Sequence, residues 1–171
     1  MASELRVDKI IPTDGVPTGG GGGIIQVVQT IKKDQFTTAN NTSNYTDITG
    51  LNVTITPKFN TSKILIECSI YNSNANAVNF FRVLRGSTFI EQPSGTSSSG
   101  AVYNAHGFAY YNCNNWQDTT VIKILDSPAT TSATTYKVQC AVTSAVCTIN
   151  KFYGTSNYYG ISTITAMEVS A

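Results

Sequence analysis

Charged side chains are scarce in this sequence, and the few that occur are nearly balanced in sign. Asp, Glu, Lys and Arg make up 12% of the 171 residues, and 11 basic side chains face 10 acidic ones. Proteins that bind nucleic acid neutralise its phosphates with clustered Lys and Arg, so we expect no nucleic-acid partner. The sequence also lacks both a secretory signal pattern and an apolar run near the ~18 residues of a membrane span. We therefore expect no membrane insertion.

Residues suited to catalysis are equally few. His106 is the only histidine, and no G-x-S-x-G motif or other nucleophile signature accompanies it. The acidic residues are scattered rather than paired as in a glycosidase. The five-glycine run lacks the Lys-Ser/Thr that follows the glycines of a phosphate-binding loop. We therefore predict no enzyme activity, no catalytic residue and no cofactor.

The four cysteines are Cys68, Cys113, Cys140 and Cys147. None belongs to a C-x-x-C pair, and structural zinc sites usually show paired ligands at such short spacing, so we predict no metal site. We interpret the four as reduced thiols, mostly buried, that act as small apolar side chains. A single disulfide between Cys140 and Cys147 across a hairpin is the alternative.

Hydroxyl and amide side chains are abundant, since 24 Thr, 16 Ser and 15 Asn make up nearly a third of the chain. After residue 23, short runs of alternating apolar and polar residues are separated by Asn, Gly, Ser and Pro clusters, and this pattern is typical of strands. The predicted strands are residues 24–33, 52–57, 63–71, 77–85, 88–92, 105–112, 119–125, 135–143, 146–152 and 160–169.

These runs, with no amphipathic helix between them, predict an all-β fold. The simplest arrangement is an antiparallel β-sandwich of jelly-roll type with about eight strands, which would form one head domain over residues 24–171. Neighbouring aromatic residues such as Phe80 and Phe81, or Tyr110 and Tyr111, place rings on both faces of their strands. Because exposed aromatic patches are otherwise a liability, these pairs favour an oligomer.

Residues 1–23 form a different kind of segment. Leu5 and Val7 alternate with charged residues as in a half-buried strand, and the glycine run that ends the segment is a flexible tether. Such a segment is too short to build a core of its own. We predict an extended, Gly-rich anchoring arm that adds a strand to the edge of a partner's sheet. The side chains expected to fill the partner's pockets are Leu5, Val7, Ile10 and Ile11.

One stretch combines the features of a glycan-binding loop. Residues 110–118 carry two tyrosines, four amide side chains, one carboxylate and the only tryptophan. Sugar rings stack on aromatic faces, and their hydroxyls form hydrogen bonds with amides and carboxylates. The alternative is that Trp116 packs in a subunit interface or covers the end of the sandwich. The candidate receptor-binding residues are Tyr111, Asn114, Asn115, Trp116 and Asp118.

Two segments resemble virion structural proteins of tailed bacteriophages, notably marine and cyanobacterial phages, of the tail-fibre or capsid-decoration type. The first is residues 3–10 (SELRVDKI), which precede the Gly-rich tether. The second is residues 50–66, in which a strand ending in Thr-Pro is followed by a Ser/Thr/Asn turn, then Ser-Lys and an apolar strand.

The resemblance implies a protein that is assembled in the host cytoplasm and located in the virion. It implies a homotrimer whose arm binds other virion proteins and whose head projects outward. The expected function is that of a short tail fibre or receptor-binding tip that contacts host-surface glycan. A capsid decoration (cement) protein that stabilises the head is the alternative, and a small glycan-cleaving virion enzyme is the third interpretation.

Overall fold

The computed structural model describes residues 23–39, 44–95, 104–111, 116–154 and 157–170. All statements about structure below concern these residues. The predicted arm residues Leu5, Val7, Ile10 and Ile11 lie outside the described part of the chain, and so do Cys113, Asn114 and Asn115. The division into a 1–23 arm and a 24–171 head stays a prediction.

The described residues form eleven strands and no helix, and therefore no helix long and apolar enough to cross a membrane. The strands are β1 (Ile24–Lys32), β2 (Phe36–Ala39), β3 (Thr46–Ile55), β4 (Lys63–Asn74), β5 (Val78–Arg85), β6 (Thr88–Phe89), β7 (Gly107–Tyr110), β8 (Trp116–Asp126), β9 (Thr134–Val142), β10 (Val146–Ile149) and β11 (Ser162–Val169).

The strands build two antiparallel sheets that pack face to face. The first sheet contains β1, β2, β4, β8, β10 and β11, and the second contains β3, β5, β6, β7 and β9. Several short strands share one position, because β10 and β11 lie end to end along one side of β4 while β8 covers its other side. In the same way β6 and β7 lie end to end along β5.

Counting β1 with β2, β6 with β7 and β10 with β11 leaves eight strand positions in the described chain. Numbered in chain order, the first sheet runs 1-8-3-6 and the second runs 2-7-4-5. This is the strand order of a jelly roll, with two Greek keys and four positions in each sheet. The predicted antiparallel sandwich of jelly-roll type is confirmed.

All ten predicted strands occur, with ends that differ from the prediction by up to six residues. The additional strand is β2, whose four residues FTTA pair with β10. Phe36 is the only large apolar residue in β2, so the sequence offers too short an alternation to indicate a strand. The alternation in β4 is confirmed, because Ile64, Ile66, Cys68 and Ile70 are fully buried.

Asn150 lies where two pairs of strands are interrupted side by side in the first sheet. One interruption separates β1 from β2, and the other separates β10 from β11. The Asn150 backbone adopts a left-handed conformation (φ 62°), and its buried side-chain amide donates to the carbonyls of Lys32 (2.8 Å) and Asp34 (3.1 Å). The Ser162 hydroxyl in turn donates to Asn150 Oδ1 at 2.6 Å. One asparagine therefore satisfies backbone groups at both breaks, as buried polar groups require.

Cys68, Cys140 and Cys147 are free, buried thiols. This agrees with the interpretation as small apolar side chains for three of the four cysteines. Burial raises the pKa of Cys68 to about 12. The thiols of Cys140 and Cys147 contact each other through a hydrogen bond, which raises the pKa of Cys147, and they are not joined as the alternative disulfide would require.

Candidate assembly and recognition surfaces

Four apolar side chains form a continuous row across the outer face of the first sheet. The strand register places Val27 opposite Met167, Met167 opposite Leu65, and Leu65 opposite Leu125. Val27 is 58% exposed and Leu125 is 47% exposed, while the two central side chains are half-buried. We call this set the apolar row, and at one side chain per strand it spans about 15 Å.

The polar row beside it satisfies its own hydrogen-bonding groups. Gln29 donates to the Thr165 hydroxyl at 2.9 Å, and Lys123 Nζ lies 3.0 Å from Glu67 Oε1. Beyond the polar row lies a third row across the sheet. Its two ends are the exposed apolar residues Ile31 on β1 and Val121 on β8. On this outer face of the first sheet, the polar side chains are thus already paired with one another. The apolar side chains leave a large area exposed to solvent, as is typical of contact surfaces.

The centre of the second sheet's outer face is polar instead. Asp47 accepts hydrogen bonds from Gln139 (2.6 Å) and Lys137 (2.7 Å), and Arg82 Nε donates to Gln139 at 2.8 Å. The Arg82 guanidinium also lies 3.9 Å from the centre of the Tyr45 ring. Partial burial opposes ionisation of Asp47, but the hydrogen bonds from Lys137 and Gln139 outweigh it and hold its pKa below the ordinary value.

The prediction that Tyr111 belongs to a receptor-binding surface is wrong. Its side chain is only 2% exposed, because the hydroxyl donates to Asn72 Oδ1 at 2.6 Å inside the sandwich. Desolvation by burial raises the pKa of this phenol well above its ordinary value. Tyr111 therefore holds the end of the sandwich closed and does not face a ligand.

Three buried asparagines extend this contact into an amide network. Asn72 donates to the Ile70 carbonyl (2.9 Å) and the Thr120 hydroxyl (3.1 Å). Asn79 donates to Asn72 Oδ1 at 3.0 Å, and Asn74 donates to Asn79 Oδ1 at 2.6 Å. A fully paired buried network fixes the geometry of the elements it joins, here β4, β5 and β8. This end of the sandwich is a rigid base for the strand ends above it.

The remaining candidate residues have mixed outcomes. Trp116 is 58% exposed at the start of β8, so it does not cover the end of the sandwich within the described chain. Asp118 is exposed, and its Oδ1 accepts the Thr119 backbone N–H at 2.7 Å. Asn114 and Asn115 lie outside the described residues.

The structure exposes two aromatic residues that were not among the candidate receptor-binding residues. Phe108 is 67% exposed and Tyr110 is 66% exposed, and both lie on the outer face of β7. The Phe108 ring lies 6.4 Å from that of Phe80, which is opposite it on β5. The signal was present in the i, i+2 spacing of Phe108 and Tyr110, which puts them on one face of a strand. We call these three residues the aromatic patch.

A further exposed aromatic pair, Tyr158 and Tyr159, precedes β11. The chain is held there by Gly160, at which an added Cβ would lie 2.5 Å from Cγ of the Tyr71 ring. Only glycine permits this close approach of backbone to ring. The Tyr71 hydroxyl donates to the Gln117 side chain, so this segment lies over the Trp116 end of β8.

Both ring nitrogens of His106 are engaged by the backbone. Nδ1 accepts the Val83 N–H at 3.0 Å, and Nε2–H donates to the Ile90 carbonyl at 2.8 Å. This pairing requires the neutral ring, and burial lowers the pKa of His106 below its ordinary value. The residue joins β5 to the loop after β6, a structural role.

Charged groups tie the two sheets together at the end opposite the amide network. Arg85 Nη1 lies 2.7 Å from both oxygens of buried Asp126, and the Tyr136 hydroxyl donates to Asp126 at 2.6 Å. Burial raises the pKa of Tyr136. Because β8 belongs to one sheet and β5 and β9 to the other, this cluster fixes their spacing.

No family model matches the chain, and no curated protein matches it. Among solved structures, the chain is similar to a chain in the structure of the infectious bursal disease virus Gx strain, with 12% sequence identity and a TM-score of 0.44. The likeness covers 96% of this chain but only 44% of the viral one, so the chain spans less than half of the neighbour's length. Likeness at this level assigns neither a family nor a function.

Proposed function

We propose that this chain is a non-enzymatic structural protein of a virion. In this proposal a homotrimer of jelly-roll heads projects from the particle as a short tail fibre or receptor-binding tip, anchored by the N-terminal arms. The observation that carries the proposal is the apolar row of Val27, Met167, Leu65 and Leu125, which the sandwich presents to solvent. The resemblance of residues 3–10 and 50–66 to phage virion proteins supports the location.

The apolar row supports assembly for an energetic reason. Burial of apolar surface stabilises an interface by about 25 cal/mol per Å². The outer face of the four strands that carry the apolar row has an area of roughly 400 Å². A standard interface buries about 800 Å² on each partner. The face therefore supplies about half of a stable interface, and the rest must come from strand edges or from the arm.

The exposed aromatic side chains support a recognition role. Tyr110 ends β7 and Trp116 begins β8, so they flank the connection between the two strands. Both rings are more than half exposed, and rings held on strand ends can stack on sugars at little entropic cost. The rigid amide network lies directly behind this end.

A glycan array tests the recognition role. Trp116→Ala should weaken glycan binding roughly 5- to 150-fold, since loss of one aromatic stacking contact is worth roughly 1–3 kcal/mol. The fold should persist because the side chain is exposed. The matched control is Ile24→Ala, which truncates a similarly exposed apolar side chain at the opposite end of the same sheet and should leave binding unchanged. Equal binding by both variants would assign Trp116 to a packing role.

The copy number in purified particles separates the alternatives within the virion. A tail fibre is present in a few dozen copies, whereas a decoration protein covers the capsid in hundreds. Gel densitometry against the major capsid protein gives the ratio. Release of reducing sugar from host polysaccharide by the purified chain would instead favour the glycan-cleaving enzyme, and absence of the chain from the particles would overturn the proposal.

A further inference from the structure

The edge of β8 differs from the other sheet edges in the described chain. β1 carries an irregularity between Ile24 and Gln26, β3 is bulged between Asp47 and Asn52, and β6 and β7 have two and four residues. In contrast, β8 pairs with β4 over eleven residues without a shift. Proteins normally shorten, bulge or cover such edges, because an open one attracts other strands.

The hydrogen-bonding groups of this edge can be assigned from the neighbouring strand. The Tyr71 N–H donates to the Ser162 hydroxyl, and its carbonyl accepts from the Asn150 N–H, so both groups point away from β8. Thr119 lies opposite Tyr71, and residues opposite each other in an antiparallel pair point their groups the same way, both inward or both outward. The peptide groups of Thr119 and of every second residue after it, Val121, Lys123 and Leu125, therefore face the open edge.

A groove lies along these groups. Its volume is about 400 Å³, and it is lined by five consecutive β8 residues, 121–125, together with Glu91 and His106. Consecutive residues of a strand point their side chains to opposite faces of the sheet. A groove that contacts five consecutive residues therefore runs along the backbone at the edge of the strand. Lys123, the one charge on this stretch, lies 3.0 Å from Glu67 of β4 and is thus drawn away from the edge.

We propose that the β8 edge accepts residues 5–11 of the N-terminal arm of a neighbouring copy as an added strand. This rests on the trimer of the proposed function, and it assigns residues 5–11 of each arm to the neighbouring head in place of another virion protein. Leu5 and Val7 alternate with Arg6 and Asp8, the pattern of a strand with one buried face. Glu91 places a negative charge on the groove wall, and the segment carries Arg6 and Lys9.

The tether that follows the arm is long enough to reach beyond its own head to a neighbouring copy, since β8 lies only about 15 Å across the sheet from β1. The Gly23 carbonyl accepts from the Ser170 N–H at the β1 edge, three strands from β8 in the same sheet. The eleven residues 12–22 reach up to about 36 Å when extended. A contact of the arm of one copy with the edge of the next is heterologous, and such contacts form a ring when the rotation between copies closes, as the proposed trimer requires. The added strand also supplies interface area that the apolar row lacks.

Amide exchange of the full-length chain, followed by NMR, tests the assignment. The N–H groups of Val121, Lys123 and Leu125 should exchange roughly 100-fold more slowly in the wild type than in the arm variant Val7→Asp. Lys123→Pro should abolish arm-dependent association, because it removes an outward N–H without breaking the β4 ladder. Lys123→Ala keeps that N–H and should behave as wild type. Mixing Val7→Asp with Lys123→Pro should restore one arm–edge contact, from the arm of Lys123→Pro to the edge of Val7→Asp, and should give a dimer of the two variants but no closed ring.

Each other result contradicts the inference. Fast exchange at the three residues in a wild-type trimer would show an uncovered edge and leave the proposed function standing. Slow exchange in both the wild type and Val7→Asp would show that a segment other than the arm covers the edge. Arm-dependent protection in a monomeric chain would show that the arm folds back on its own head. If Lys123→Pro does not fold, the comparison of amide exchange in Val7→Asp and in the wild type still tests whether the arm covers the β8 edge.

Discussion

The two outer faces of the sandwich are built from opposite chemistry on the same strand geometry. On the first sheet, Val27, Met167, Leu65 and Leu125 align into the apolar row. At the centre of the second sheet, Asp47, Gln139 and Arg82 align into a hydrogen-bonded chain. A face whose polar groups pair with one another is stable in water, whereas an apolar row gains free energy only when it is covered. This difference is the reason why we propose the first sheet as the assembly face.

The largest effect should come from a charge in the apolar row. Leu65→Glu places a carboxylate at the centre of the row, and burying it without a partner would cost several kcal/mol. We expect self-association to weaken at least about 100-fold, as measured by sedimentation equilibrium. The free energy of unfolding should change little, because the side chain faces outward.

Thr54→Glu is the matched control on the second sheet, where Thr54 is exposed and pairs with the Thr135 hydroxyl. It adds the same charge to the opposite face and should leave the mass in solution unchanged. If Thr54→Glu dissociates the assembly while Leu65→Glu does not, the assignment of the two faces is reversed.

Acid should weaken the second sheet before the first. The pKa of His106 is lowered by burial from its ordinary value of 6.5, so stability falls as the pH drops below about 6.5 towards the folded-state value. Glu168 on β11 is buried. Burial opposes its ionisation, but hydrogen bonds from the Gln26 side chain and the Lys58 backbone help to hold its pKa below 4.5. Its stabilisation is present above that value and is lost only at lower pH.

Urea unfolding between pH 7 and pH 3.5 measures this order. His106→Gln should remove the decline that begins near pH 6.5 and keep the later one, whereas Glu168→Gln should remove the later one. A wild-type stability that is constant down to pH 5 would contradict the role given to His106.

The smallest effect should come from the polar chain on the second sheet. Asp47→Ala removes an exposed ion pair with Lys137 and a hydrogen bond from Gln139. Partly exposed pairs of this kind contribute about 0.2–1 kcal/mol, so thermal unfolding should occur only a few degrees lower. The association constant should equal that of the wild type, and a loss of association would place this face in the interface.

Much of the fold follows from local alternation, because residues 63–71 of β4 and 119–126 of β8 bury every second side chain. The candidate site was less predictable. Tyr110 and Tyr111 are adjacent and chemically alike, so alternation shows that they lie on opposite faces but not which face is buried. The amide network decides this, since Asn72 and Asn79 approach Tyr111 only through tertiary pairing. The apolar row was invisible for the same reason, because its four members are far apart in sequence and only the strand register aligns them.

Sedimentation equilibrium of the full-length chain is the most direct test of the central claim that the first sheet is an assembly face. The account predicts a mass three times the 18.3 kDa of one chain at micromolar concentration, and a single-chain mass for Leu65→Glu under the same conditions. A wild-type chain that sediments as a monomer up to 100 µM would contradict it.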